Sequence, residues 1–362
     1  MTEDNFDPTA YLRKLFSDYE LEVNSKVEDV KGSYVESDRD DTFAAFLKML
    51  IQNAARRRDP GKPHAANNRR PGMAVLLTAP SGAGKSTLLD NALKNNPAFP
   101  NYGSATEWCP LISVGAPSPC TLLQLAMRIL IALGWNSTRE LRENGAWLRV
   151  RMQLKEQKIL FLVIDDFQHV LHQANEFEVQ KVRDTLKDLM TSRDWPVQII
   201  LAGLPDLVPF AKADTQLRRR LKFMKLEPIS PKGDFKFLDS AIKHYAKKCG
   251  LKLLIEAGDA LVGRLCHAAQ YQMGVTIEIL TEAVEVALLR GEKTLTMDDF
   301  LDAYAARNLQ PDDQNPFFAN AWDTIDTSLV RPKIEDATAE DAEDKSVVKK
   351  RTPKPRRRRT KR

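Results

Sequence analysis

Short apolar runs alternate with amphipathic stretches through the middle of the chain. The stretches between the runs, such as residues 121–134 and 179–190, repeat apolar residues at helical spacing. Runs that are apolar throughout are typical of strands buried on both faces of a sheet. The pattern therefore predicts an α/β fold in which helices cover a parallel sheet. The predicted strands are MAVLLT (73–78), LISVG (111–115), ILFLVID (159–165), VQIILAG (197–203) and KFMKLEPI (222–229).

The pattern changes on either side of this region. After Pro231 it predicts helices without intervening strands, and we expect a small all-helical domain there. Before it, a helix is predicted at 41–55, whereas residues 1–40 are polar and weakly patterned. The helices predicted for the C-terminal domain are 235–249, 257–272, 275–290 and 297–306. We divide the chain into an N-terminal segment (1–60), an α/β domain (61–230), a helical domain (231–310) and a tail (311–362) that we expect to be disordered.

Charge is distributed unevenly along the chain. The 362 residues carry a formal net charge of +5, but residues 345–362 hold eleven Lys or Arg and no acid. Residues 335–344 hold six acids and no base, so residues 1–334 carry no net charge. A basic, Pro-containing tail of this kind binds polyanions by releasing counterions, without reading sequence. It predicts nonspecific DNA contact, docking to a partner protein or, in a eukaryotic protein, a nuclear-import signal.

The sequence also indicates the compartment. No apolar run approaches the roughly 20 residues that a membrane-spanning helix needs. The N-terminus, MTEDNFDPTAYLRKLF, lacks the basic start and apolar core of a secretion signal. Four scattered cysteines form no CxxC pair, which argues against a zinc site or a disulfide framework. We expect a cytoplasmic protein with reduced thiols and no membrane contact.

The glycine-rich stretch APSGAGKST (79–87) follows the first predicted strand and precedes a helix. Gly82 and Gly84 let the backbone turn its N–H groups toward phosphate oxygens, and the helix N-terminus adds its positive end. Lys85 is expected to reach the β- and γ-phosphates, and Ser86 to offer its hydroxyl to Mg²⁺. The pattern predicts a phosphate-binding loop for ATP. Its nucleotide-binding residues would be Pro80, Ser81, Gly82, Ala83, Gly84, Lys85, Ser86 and Thr87.

Two consecutive carboxylates end the third predicted strand. Asp165 is expected to hold Mg²⁺ together with Ser86. Asp166 follows, where most ATPases of this architecture have a glutamate that polarises the attacking water. Because aspartate is one methylene shorter, we expect Asp166 to be the catalytic carboxylate of a slow ATPase. A solvated turn is the alternative for such an acid pair, and the phosphate loop upstream favours the nucleotide site.

Three arginines in DTQLRRRL (214–221) precede the fifth predicted strand. In ring-forming ATPases an arginine at this place reaches the γ-phosphate bound by a neighbouring subunit and stabilises the phosphoryl-transfer state. We assign this catalytic role to Arg220, and we assign Arg218 and Arg219 to a DNA-facing or interface surface. A solvated basic helix end is the alternative.

Taken in order, these motifs resemble the TniB/TnsC-type AAA+ ATPases of transposons. The resemblance covers roughly residues 40–230 and includes APSGAGKST, LISVGAPSPCTLLQLAMRILIALG, FLVIDDFQHVL, IILAGLPD and DTQLRRRL. It implies a parallel-sheet P-loop AAA+ core with a C-terminal helical lid domain, binding ATP and Mg²⁺. It also implies a regulator of DNA transposition. Such a protein would form a ring or helical filament of identical subunits on double-stranded DNA and recruit or activate a transposase.

Some positions depart from the family pattern. Ala79 replaces the first glycine of the loop, and Asp166 replaces the usual glutamate. Gly203-Leu204 follows the fourth strand, where an Asn or Thr is common, and MGVTIEIL (273–280) lacks the lid arginine of many relatives. These departures weaken the expectation of fast hydrolysis more than that of ATP binding. Two other classes stay open: a signalling or scaffolding NTPase switch that does not use DNA, and a helicase-loader or initiator-type ATPase.

Overall fold

The computed structural model describes residues 8–104, 106–136, 141–171, 176–255, 259–308 and 311–328. The strands are β1 (Ala74–Thr78), β2 (Leu111–Gly115), β3 (Phe161–Asp165), β4 (Gln198–Gly203), β5 (Leu221–Lys225), β6 (Lys252–Leu253) and β7 (Thr294–Leu295). The helices are α1 (Pro8–Arg13), α2 (Asp18–Lys31), α3 (Asp38–Ala55), α4 (Lys85–Lys94), α5 (Leu122–Ala132), α6 (Glu143–Glu156), α7 (Glu176–Thr191), α8 (Leu207–Lys212), α9 (Thr215–Arg218), α10 (Phe235–Lys248), α11 (Asp259–Ala268), α12 (Met273–Leu289) and α13 (Met297–Asn308). Short 3₁₀ turns lie at Ala66–Asn68, Phe167–Val170, Asp312–Gln314 and Trp322–Thr324.

The strands predicted from the apolar runs form one parallel sheet in the order β2-β3-β4-β1-β5. Val75 of β1 lies between Ile200 of β4 and Lys222 of β5. Because the strands run in the same direction, the loops that follow β1, β3 and β4 meet at the carboxyl edge of the sheet. The segments that precede β1 and β5 meet at the opposite, amino edge. These two edges carry the functional residues described below.

Both faces of the sheet are covered, which explains the uninterrupted apolar sequence of β1. Leu76 contributes to a core with α5, α6 and α7 on one face. Val75 and Leu77 point to the other face, where Phe43 and Leu47 of α3 pack with α4. Successive residues of a strand point to opposite faces, so every position of β1 is buried. The predicted α/β class with a parallel sheet is confirmed.

The helices after residue 231 form a second core of their own. It includes Leu238, Leu265 and Leu280, which lie on α10, α11 and α12. The two-residue strands β6 and β7 pair in parallel inside this domain. The expectation of helices without strands was therefore wrong in this detail, because two residues are too few for a period to be recognised.

The N-terminal residues divide between the two cores. The apolar side of α2, with Val23, Val27 and Val30, packs into the helical domain. By contrast, α3 packs on the sheet. A capping box begins α2, in which the Ser17 N–H donates to the Glu20 carboxylate at 2.7 Å. The N-terminal region is thus not a separate segment in space, and its first two helices were not predicted.

The chain beyond α13 differs from the predicted disordered tail as far as residue 328. Phe317 is buried and packs its ring near Phe300 and Tyr304. Arg264 donates to the Ala319 carbonyl at 2.7 Å, and Gln270 donates to the Thr327 carbonyl at 2.6 Å. Contacts with the helical domain order this segment, and its polar composition gave no sign of them. The acidic and basic runs of the tail lie outside the described residues, and the roles predicted for them stay predictions.

No helix in the part of the chain that the structure describes is long and apolar enough to cross a membrane.

Candidate nucleotide-binding site

The phosphate loop connects β1 to α4 at the carboxyl edge of the sheet. Gly82 and Gly84 have φ angles of 71° and 85°, in the left-handed region where a side chain is strained. Ala79 has no positive φ; it is fully buried, and its N–H donates to the Gly203 carbonyl at 3.2 Å. The backbone conformation therefore favours glycine at positions 82 and 84, whereas it accepts alanine at position 79.

Lys85 lies folded against the loop that it follows. Its side chain is 8% exposed, and its Nζ donates to the carbonyls of Ala79 and Pro80, each at 3.0 Å. A buried ammonium has to find acceptors, and these carbonyls hold it beside the loop. The Lys85 ammonium has three N–H donors, which would suit a phosphate bound at the loop.

The structure brings Ser86 and the acid pair together. The Ser86 hydroxyl donates to Asp165 Oδ2 at 2.5 Å across 79 residues of sequence. The N–H of Asp166 donates to the other carboxylate oxygen of Asp165 at 2.9 Å. A hydroxyl beside a carboxylate supplies hard oxygen ligands of the kind that Mg²⁺ prefers, so these residues fit the metal expected from the sequence. Asp166 itself is exposed and lines the pocket.

A cavity of about 550 Å³ surrounds the phosphate loop and extends between the sheet domain and the helical domain. Ser81 to Thr87 line one end of it, together with Asp166 and Gln168. Apolar side chains line the remainder and would suit a nucleobase. These are Val35, Leu226, Phe237, Met273 and Ile277.

The segment between α2 and α3 forms part of this wall and was not predicted from sequence. Tyr34, Val35 and Arg39 line the cavity. Burial raises the pKa of Tyr34 far above its usual range, and its hydrogen bond to Asp40 at 2.6 Å acts in the same direction. The phenol therefore stays protonated and donates. Only tertiary structure brings this polar segment to the loop, so no local pattern marked it.

The helical domain touches the phosphate loop directly through the start of α12. The Val275 N–H donates to the Gly82 carbonyl at 3.1 Å. A Cβ on Gly274 would lie 2.6 Å from that carbonyl oxygen and 3.0 Å from the Gly84 nitrogen. Glycine at position 274 is therefore required for this close approach. Residues 273–280 contain no arginine, and their contact with the loop is made by the backbone.

Arg220 is not brought to this pocket. It immediately precedes β5, and its carbonyl accepts from the Ala74 N–H at 2.9 Å, at the amino edge of the sheet. The phosphate loop begins after Thr78, one strand length or about 16 Å away along the sheet. Arg218 and Arg219 are exposed at the same edge. The predicted catalytic arginine thus lies at the opposite edge of the sheet from the nucleotide pocket of its own chain.

A partly buried ion pair holds the helix that carries these arginines. Asp214 caps α9, accepting from the N–H groups of Gln216 and Leu217 at 2.8 Å, and its other oxygen accepts from Lys187 at 2.6 Å. Burial opposes ionisation of Asp214, but the bonds from Lys187, Leu217 and Gln216 outweigh it and lower its pKa to about 2. Asp214 is therefore ionised at neutral pH and fixes the start of DTQLRRRL.

The sequence profile of the family described as Bacterial TniB protein matches residues 62–231. These residues are similar to the TniB family. The TniB region contains the phosphate loop, the acid pair and the arginines of DTQLRRRL. The α2–α3 segment and Gly274 also line the cavity, but they lie outside the TniB region. No curated protein matches the chain.

Solved structures share the fold at low identity. Cdc6p from Pyrobaculum aerophilum has a TM-score of 0.53 and 14% identity, over 76% of this chain and 70% of that one. ORC1 from Aeropyrum pernix in complex with DNA has a TM-score of 0.54 and 15% identity, over 79% and 68%. ORC2 from Aeropyrum pernix, as ADPNP-ADP complexes, has a TM-score of 0.52 and 12% identity, over 77% and 71%. At such identities the likeness shows the fold, which is an AAA+ P-loop core with a helical C-terminal part. With the TniB match, the chain is an AAA+ ATPase that binds nucleotide.

Proposed function

We propose that this chain is a regulator of DNA transposition that binds ATP and Mg²⁺, assembles with further copies of itself on duplex DNA, and recruits or activates a transposase. We infer self-assembly because the phosphate loop and Arg220 lie at opposite edges of one sheet. A subunit stacked head to tail on the next would bring Arg220 to its neighbour's nucleotide. Repetition of such a heterologous contact produces a ring or a helical filament.

Each residue of the site has a distinct role in this proposal. Lys85 and the loop N–H groups bind the phosphates, and Ser86 and Asp165 hold Mg²⁺. When bound, Mg²⁺ neutralises charge on the β- and γ-phosphates. Asp166 accepts a proton from the attacking water, and the neighbour's copy of Arg220 stabilises the transferring phosphoryl group. Because Arg220 comes from another subunit, hydrolysis depends on assembly.

A basic surface supports the DNA part of the proposal. Six of the residues from Arg56 to Arg70 are Lys or Arg, and Asp59 is the one acid among them. The loop has a fixed conformation, because buried Asn68 donates to the Asp59 carbonyl at 3.0 Å and the Pro63 carbonyl at 2.9 Å. It leads into β1 and therefore lies at the amino edge, as Arg220 does. The positive charges of this loop repel one another, and the phosphate groups of bound DNA would neutralise them.

The relatives support the same proposal. The ATPase core is similar to the TniB family. One structural neighbour, the Aeropyrum pernix ORC1 protein, is in complex with DNA. At 15% identity its DNA-contacting residues do not identify counterparts here, and the DNA contacts proposed for this chain rest on its own arginines.

The decisive experiment measures duplex DNA binding by the full chain in different nucleotide states. We expect a nonhydrolysable ATP analogue with Mg²⁺ to raise the affinity at least about tenfold over ADP, with cooperative binding that images as rings or filaments. Lys85→Ala should remove this stimulation. Equal affinity in every nucleotide state would contradict the proposal and favour a nucleotide switch that does not use DNA. The transposase arm is tested by co-purification with the product of a neighbouring integrase-type gene.

A matched pair of variants tests the basic surface. Replacing exposed Arg58 and Arg70 by alanine should weaken DNA binding uniformly across sequences and lower the salt slope by about 2, one for each phosphate that is no longer neutralised. Replacing Arg13 and Lys14, which are exposed near the N-terminus, removes the same charge elsewhere and should leave the slope unchanged. Equal effects of the two pairs would mean that net charge alone, and not this surface, governs binding.

A further inference from the structure

Gln168 lies between the candidate catalytic carboxylate and the end of β4. It belongs to the 3₁₀ turn that follows the acid pair and is 7% exposed. Its Nε2 donates to Asp166 Oδ1 at 3.2 Å, and its Oε1 accepts from the Leu204 N–H at 3.3 Å. The two partners fix the amide orientation, because a carboxylate only accepts and a backbone N–H only donates. Asp166, Gln168 and Leu204 all line the nucleotide cavity.

The glycine that ends β4 makes room for this amide. A Cβ on Gly203 would lie 2.4 Å from Gln168 Oε1 and 2.5 Å from Leu207 Cδ1. A side chain at the strand end and Gln168 in its observed place therefore exclude each other. The sequence shows no Asn or Thr at that strand end, and the structure shows a polar amide at the same place, supplied from the turn after β3.

We propose that Gln168 is a positioning residue for ATP hydrolysis, which holds the Asp166 carboxylate toward the attacking water and ties it to the end of β4. The inference rests on the role proposed for Asp166, and does not depend on DNA or a transposase. An aspartate carboxylate rotates freely about its bond to Cβ, and a donor on one oxygen restricts that rotation while Asp166 lines the cavity. The Gln168 amide thus joins the Asp166 carboxylate to the backbone N–H that follows β4.

The test compares the variants with wild type in steady-state hydrolysis at equal protein concentration, with and without duplex DNA, because the proposed neighbour arginine makes hydrolysis depend on assembly. Gln168→Ala should lower kcat about tenfold to a hundredfold, because the carboxylate is no longer held by a preorganised donor, and should leave the affinity for a fluorescent ATP analogue within about threefold. Gln180→Ala is the matched control. Gln180 lies on α7 outside the residues that line the cavity, where it donates to Asp184 at 3.1 Å and accepts from Arg183 at 3.0 Å, and its replacement should leave kcat unchanged. A Gln168→Ala variant with unchanged kcat overturns the proposal. A parallel fall of kcat and nucleotide affinity also overturns it, since that indicates a structural role.

Gln168→Glu adds a readout that a structural role would not produce. It keeps the size of the side chain but places a second carboxylate against Asp166. The two negative charges repel, so kcat should fall at least as far as in Gln168→Ala although the side chain keeps its size, and nucleotide affinity should stay within about threefold. A Gln168→Glu variant with wild-type kcat would contradict the proposed contact.

A double-mutant cycle with Gly203→Ala tests the steric part. The added methyl displaces Gln168, so the loss of kcat in Gly203→Ala and Gln168→Ala together should be less than the product of the two separate losses. Fully multiplicative losses would contradict the proposal. If Gly203→Ala does not fold, because Leu207 is also crowded, the Gln168 variants decide alone. Asp166→Asn is measured in parallel. Normal kcat in that variant means the role of Asp166 is wrong, whereas a large loss there with none in Gln168→Ala means that only the inference about Gln168 is wrong.

Discussion

Asp166 has a backbone conformation that few side chains adopt. Its φ and ψ are 51° and 34°, in the left-handed region where aspartate is several-fold enriched among non-glycine residues. The turn that follows places Gln168 back against the carboxylate. The residue type at this position is therefore consistent with its conformation and its contact. Whether hydrolysis is slow, as the shorter side chain suggests, stays a prediction.

Asp166→Asn separates nucleotide binding from hydrolysis. The amide keeps the size of the side chain but does not accept the proton of water, so we expect kcat to fall by about 10²-fold or more. ATP affinity should change little, because the phosphate loop and Asp165 are untouched. Single-turnover hydrolysis and nucleotide titration of the same sample measure both quantities. If affinity falls as much as kcat, Asp166 contributes to binding and not to the chemical step.

At the scale of elements, the parts predictable from sequence are those whose pattern is local. The apolar runs located β1 to β5 to within a few residues, since both faces of the sheet are covered. The helix α2 had a recognisable signal, because Val23, Val27 and Val30 repeat at helical spacing in a polar stretch. The α2–α3 segment, Gly274 and Gln168 had none. Their roles arise from approach to residues far away in the chain, which no window of sequence contains.

The first element-scale prediction concerns the contact between α12 and the phosphate loop. Gly274→Ala puts a methyl 2.6 Å from the Gly82 carbonyl oxygen, which is backbone and does not move aside cheaply. Overpacking of this kind costs roughly 1–3 kcal/mol. We expect about tenfold weaker nucleotide binding, measured by titration. Gly145→Ala, in α6 with open space around the added methyl, is the control and should not affect binding. Equal binding by both variants would show that the α12 contact is irrelevant to the loop.

The Asp214 cap of α9 should make the stability of the fold depend on pH. The folded-state pKa of Asp214 is lowered from its ordinary value of 3.8 to about 2. A lowered pKa stabilises the fold above pH 3.8, and this stabilisation is lost as pH falls from about 4 toward 2. Asp214→Asn should therefore lower Tm at pH 7, and the difference from wild type should shrink below about pH 4. Asp184→Asn is the control, since Asp184 pairs with the same Lys187 but is 58% exposed and caps no helix. A deficit independent of pH would mean that the charge of Asp214 does not matter.

At the scale of the whole molecule, the N-terminal region connects the two domains beside the candidate nucleotide cavity. The helix α2 packs in the helical domain, where Lys31 pairs with Glu285 at 2.7 Å and Tyr19 donates to the Leu288 carbonyl at 2.8 Å. The next helix, α3, packs on the sheet. The residues between them line the cavity. Two parts of the chain outside the sheet, this segment and the start of α12 at Gly274, therefore line the cavity.

The last prediction tests whether Arg220 acts on a neighbour's nucleotide. Arg220→Ala and Asp166→Asn should each be inactive in hydrolysis, the first for lack of the arginine and the second for lack of the carboxylate. When the two variants are mixed, an Arg220→Ala pocket beside an Asp166→Asn subunit has both groups. If neighbours pair at random, roughly a quarter of the contacts in an equal mixture are complete, and activity should return to about that fraction of wild type. A matched mixture of Arg219→Ala with Asp166→Asn distinguishes Arg220 from the adjacent arginine, since Arg219→Ala should be active without mixing. If the Arg220 mixture is as inactive as its components, the arginine does not act between subunits. The separation of Arg220 from the phosphate loop would then not indicate assembly.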